Sequence, residues 1–79
     1  MSKSPQLSFK TPADIKAFRD KHGMNQTGFW SRVGVTQSGG SRYEGGRNIP
    51  RPVQLLLTVT YGTPAQSNKA VEYLRGWKD

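Results

Sequence analysis

Between residues 26 and 50 the chain reads QTGFWSRVGVTQSGGSRYEGGRNIP, two short segments of helical pattern that meet at Gly34. Glycine takes up backbone angles that other residues avoid, so the chain can turn sharply there and hold the second segment clear of the first. The first segment is predicted as a helix over about 25–33, capped by Asn25. The second is predicted over about 36–44, capped by Thr36, whose hydroxyl can accept from a free amide of the first turn. This second segment, Gln37 to Glu44, is poor in helix formers, and its adjacent Gly39 and Gly40 cost about 2 kcal/mol against alanines. A helix kept at that cost needs small residues there, for close packing or for close approach to a ligand.

The flanking sequence supplies short helices to complete a bundle. Residues 1–10 mix Ser, Lys, Pro and Gln with Leu7 and Phe9 and read as a flexible arm, made basic by Lys3 and Lys10, whose two apolar residues dock on the body. Residues 11–79 form one domain. Thr11-Pro12-Ala13-Asp14 starts a helix by cap, ring and charge. It runs to about His22, with Ile15, Ala17, Phe18 and His22 turned inward, and Gly23 stops it. Gly45-Gly46 ends the third helix. A fourth begins near Pro52 and carries Val53, Leu55, Leu56, Leu57 and Val59 as the central core element. Gly62 closes it, and a last helix over about 64–76 presents Ala70, Val71, Tyr73 and Leu74, followed by Trp77. The fold class is therefore all-α, a compact bundle of about five short helices.

Composition narrows the function classes. A net charge of +7 and a pI near 10.3 point to an anionic partner, and nucleic acid comes before membrane because no apolar run approaches the roughly 20 residues that span a bilayer. There is no cysteine, so thiolate metal sites and disulfides are out. The start Met1-Ser-Lys-Ser-Pro-Gln lacks the apolar core of a secretory signal, which makes the cytoplasm the expected compartment. One histidine, His22, and the scattered carboxylates Asp14, Asp20, Glu44, Glu72 and Asp79 make no catalytic or metal set, and no phosphate-cradling loop with a following Lys is present. The expectation is a binding protein without cofactor, not an enzyme. Two helical segments hinged at a glycine in a basic chain have the layout of a helix-turn-helix, whose second helix can enter a DNA major groove.

The spacing resembles a known family. Arg19, Gln26 seven residues later, Phe29, Val33-Gly34-Val35, the Thr36 cap, Glu44, a glycine, a basic residue and then Pro50 resemble the Cro and phage-repressor (XRE-like) type of helix-turn-helix transcriptional regulator over roughly residues 13 to 62. The resemblance implies a lambda-repressor-like fold of prokaryotic or phage origin and a double-stranded DNA partner. It puts the base-reading face on Gln37, Ser38, Ser41 and Arg42. Gln can bridge adenine N6 and N7, Arg can bridge guanine O6 and N7, and Ser is short enough for a base edge or phosphate. Gly39 lies on or near this face, where a missing side chain either lets the backbone approach or leaves the glycine-rich helix poorly ordered before binding. Phosphates fall to Asn25, Gln26 and Thr36 at helix starts, and to Arg47, Asn48 and Arg51 after the third helix. The resemblance also implies a structural ion pair between Arg19 and Glu44.

In such domains an Ala in the second helix packs against a branched aliphatic residue of the third, whereas here the pair is Trp30 and Gly40. A large residue has replaced a small one and a small one a large, which keeps interior density if Trp30 fills the space over Gly40. The alternative leaves Trp30 exposed to a partner. Tyr73, Leu74 and Trp77 exceed what a last helix must bury and are the candidate homodimer surface, unless they fold back on the fourth helix. The simplest function is a repressor that occupies a palindromic operator. The rivals are an antitoxin or operon-linked autoregulator that also holds a small protein partner, and an RNA-binding or protein-interaction module of the same fold.

Overall fold

The computed structural model describes residues 5–78, so residues 1–4 of the basic arm, with Lys3, and Asp79 lie outside the described residues. Five α-helices follow one another, α1 Pro12–His22, α2 Gln26–Ser31, α3 Gln37–Glu44, α4 Arg51–Tyr61 and α5 Pro64–Arg75, and a 3₁₀ turn, Gly76–Lys78, comes after them. Among the described residues there is no strand, and no helix is long and apolar enough to cross a membrane.

Local chemistry explains most boundaries. Thr11 and Thr63 each accept from the amide three residues on, while Asp14 and Gln66 reach back to the cap amides, so α1 and α5 both open on a capping box. Helices α1, α2 and α3 share one type of ending. In α2 the Gly34 amide donates to the Ser31 carbonyl (3.0 Å) and the Val35 amide to the Trp30 carbonyl (3.0 Å). This Schellman closure needs a left-handed residue between the two donors, and Gly34 has φ +77°. The same pair of bonds closes α1 around Gly23 and α3 around Gly46. The closure shortens α2, which ends at Ser31 instead of Val33 because residues 32–34 are spent on the turn. Helix α4 starts at Arg51, one residue before Pro52.

The core gathers Phe9, Ile15, Phe29, Trp30, Val33, Ile49 and Leu57, and Phe18, Met24, Tyr43 and Tyr61 pack around it. Leu7 and Phe9 of the N-terminal segment are buried, and Ser8 accepts a hydrogen bond from Gln66 of α5 (3.0 Å). Two inward assignments on α1 do not hold. Ala17 and His22 are exposed, and the imidazole lies against the outer side of Phe18, with ring centres 4.2 Å apart. On α4, Leu55 and Leu57 are buried but Leu56 is 43% exposed. Three consecutive leucines sweep through about 200° of helix and cannot share one face.

Tyr61 stacks on Phe29 at 4.4 Å with the rings 11° from parallel, and its hydroxyl donates to the Phe29 carbonyl at 2.7 Å. Burial raises the phenol above its usual value, against the opposing pull of Arg32. The raised value means that the fold holds the protonated form. Its stabilising contribution is complete below pH 10 and is lost as pH climbs from there through the folded-state value. Tyr61→Phe is expected to lower unfolding free energy by about 1 kcal/mol at neutral pH, and to remove this alkaline loss. Urea titrations of both proteins at pH 7 and above pH 10 test both parts.

Candidate nucleic-acid interface

Helices α2 and α3, with the Gly34 turn between them, form the helix-turn-helix. Asn25 Oδ1 accepts from the Gly28 amide at 2.6 Å, and Thr36 Oγ1 accepts from the Gly39 amide at 3.1 Å. Each cap satisfies the third amide of its helix and leaves the earlier ones pointing outward. Gln37, Ser38, Ser41 and Arg42 are all exposed. Their spacing puts them along one side of α3, and with Gln26 of α2 they line a single shallow hollow. Its lining combines two short hydroxyl side chains with two amides and a guanidinium.

The opposite stripe of α3 is buried. Glu44 is only 4% exposed, yet it is fully engaged: Arg19 Nη1 of α1 donates to Oε1 at 2.6 Å, and Trp30 Nε1 of α2 donates to Oε2 at 2.6 Å. Among the described residues this is the one ion pair. It is single-pronged, since the buried Nε of Arg19 has no hydrogen-bond partner. The indole bond was missed in the sequence, although a buried Trp N–H requires an acceptor and Glu44 carries one of the few carboxylates in the chain. Trp30 has no exposed surface, so it offers nothing to a protein partner. A Cβ placed on Gly40 would lie 2.9 Å from Trp30 Nε1 and closer still to Cγ and Cδ1. Gly40 therefore gives the indole its room.

Gly39 is half-buried, and a Cβ there would meet Val35 Cγ1 at 3.1 Å and Thr36 Oγ1 at 3.3 Å, so a larger residue would press on the side chains at the start of α3. Arg47 and Asn48, in the connector after α3, and Arg51, the first residue of α4, are exposed and lie outside the hollow. The groups considered for dimerisation are at the other end of the chain. Tyr73 is half-buried, while Leu74 is 47% and Trp77 79% exposed.

Comparison with known families fits this geometry. The model of the RsaL-like HTH domain family matches residues 16–60, more than half of the chain. The chain belongs to the RsaL-like helix-turn-helix family. The match spans the α2–turn–α3 unit together with most of α1 and nearly all of α4, and makes the RsaL-like domain a helix-turn-helix of the DNA-binding regulator type. No curated protein and no solved structure matches the chain.

In this RsaL-like domain, Glu44→Ala would strand the Arg19 charge and the Trp30 N–H together, and is expected to destabilise by about 3 to 5 kcal/mol. Trp30→Ala should cost about as much through its cavity, and Gly40→Ile about 1 to 3 kcal/mol through overpacking. The Trp30→Ala/Gly40→Ile double variant should lose less than the sum. Chemical denaturation of the four proteins decides it, with strictly additive losses counting against the packing argument.

Proposed function

We propose that this domain is a sequence-specific, double-stranded DNA-binding transcriptional repressor that inserts α3 into the major groove, in the manner of Cro and phage-repressor domains. The observation that carries the reading is the exposed face of α3, where Gln37, Ser38, Ser41 and Arg42 line one hollow with Gln26 in a chain of the RsaL-like family. Gln37 and Arg42 have the bidentate chemistry for adenine and guanine, and Ser38 and Ser41 reach base edges or phosphates at short range. Asn25, Gln26 and Thr36 at the starts of α2 and α3 take one phosphate run, using outward amides and the positive helix ends. Arg47, Asn48 and Arg51 take the next. These contacts set affinity and register, and the α3 face sets sequence.

A domain of this size covers few base pairs, so a homodimer on a palindromic operator supplies the remaining affinity. Tyr73, Leu74 and Trp77 are its proposed contacts, supported by the exposure of Leu74 and Trp77. That exposure also favours a second reading, an operon-linked autoregulator or antitoxin that covers the same surface with a small protein partner. In either case the domain works in the cytoplasm on the chromosome and needs no cofactor.

Selection from a random duplex pool tests the reading. The winner is expected to be palindromic and to bind at least about 1000-fold tighter than scrambled duplex, and Gln37→Ala should lose about 1 to 3 kcal/mol of that preference. Arg47→Ala should weaken both duplexes alike and reduce the salt slope by about one. A flat, steeply salt-dependent profile that ignores Gln37→Ala would overturn it. A second chain co-purifying in place of a homodimer would favour the partner-bound reading.

A further inference from the structure

We infer that Trp30 is the positioning residue that sets the depth and rotation of α3, and through them the specificity of DNA reading, although it faces no DNA. The inference rests on the proposal that α3 is the helix that enters the groove. Trp30 meets α3 at three places on one stripe. Its ring occupies the space that a Cβ on Gly40 would take, its ring centre is 5.4 Å from that of Tyr43, and its Nε1–H is bonded to Glu44. Residues 40, 43 and 44 are neighbours on a helix surface, so contact at all three fixes both the separation of α3 from α2 and the angle of α3 about its own axis. The Gly40 contact acts as a stop and the Glu44 bond as a latch.

Arg19 cannot do this alone. Its chain is long, it reaches Glu44 through one nitrogen, and its grip is compatible with a range of α3 rotations. An indole has only two side-chain torsions and is fully enclosed here, which makes it the stiffer gauge. The residues it sets are Gln37, Ser38, Ser41 and Arg42. Bidentate hydrogen bonding tolerates errors of only about 0.5 Å and 10–20°, whereas phosphate contacts by long flexible cations tolerate more. Disturbing the indole should therefore cost base discrimination before general DNA affinity.

The test compares the intact chain with Trp30→Phe, Gly40→Ala and Leu57→Ala, each bound to the selected duplex and to scrambled duplex at a temperature where circular dichroism shows it folded. Trp30→Phe removes the latch. Gly40→Ala keeps the indole and both hydrogen-bonding side chains but pushes α3 outward, and it decides the matter should Trp30→Phe not fold. Leu57 is buried on α4 and serves as a control for loss of stability alone. The first two variants are expected to lower the ratio of specific to scrambled affinity by about tenfold or more, the loss of roughly one base contact, with affinity for scrambled duplex and its salt slope unchanged. Leu57→Ala should lower the melting temperature and keep the ratio. A wild-type ratio in Gly40→Ala or in folded Trp30→Phe, or an equal fall in Leu57→Ala, would overturn the positioning role while leaving the reading of α3 intact. A wild-type protein that prefers no duplex would overturn both.

Discussion

One carboxylate joins three helices. Glu44, at the end of α3, accepts from Arg19 of α1 and from Trp30 of α2, so the angle at which α3 leaves the body depends on a buried group that needs a donor on each oxygen. Burying such a charge costs several kcal/mol, and only partners on both oxygens make it tolerable. The cost has a structural return. Apolar packing alone lets short helices slide over one another, whereas two directed bonds at 2.6 Å select one arrangement of α1, α2 and α3.

The Trp30 and Gly40 contact fits into the same scheme. With a side chain at position 40, α3 would stand farther from α2 and the indole N–H could not reach Glu44 from its present place. With a smaller residue at position 30, the second oxygen of Glu44 would be left without this donor. The glycine that weakens α3 as a helix is thus the condition for the bond that secures it to the body. Low helix propensity in α3 is offset by tertiary contact, the usual way in which context overrides propensity.

What could be read in the sequence follows the range of the interaction. Helix starts at Thr11, Asn25, Thr36 and Thr63 and stops at Gly23, Gly34 and Gly46 are written within three or four residues, and they mark where the chain changes direction. Where the reading went astray, the cause was a neighbour out of local view. Residues 32 and 33 read as helix because the turn they enter depends on bonds back to Trp30 and Ser31. Leu56 looked like core because hydrophobicity was read without its angle on α4. Ala17 lies about 100° around α1 from Phe18, off the inward stripe, and His22 shares that stripe but is the last residue of the helix, where it is exposed. The partners of Glu44 are 25 and 14 residues away. Family resemblance named Arg19, whereas the Trp30 bond to Glu44 becomes visible only once α2 and α3 are packed together.

The closure around Gly46 has a further consequence, in length. With Thr36 capping one end and that turn ending the other, α3 holds eight residues and is about 12 Å long. That is about the width of the major groove of B-form DNA. In the proposed binding mode a helix this short would lie across the groove from wall to wall without projecting beyond it, and the connector that carries Arg47 and Asn48 would leave α3 at the level of the sugar-phosphate wall. The glycine that stops the helix would then also set how far the protein reaches across the groove.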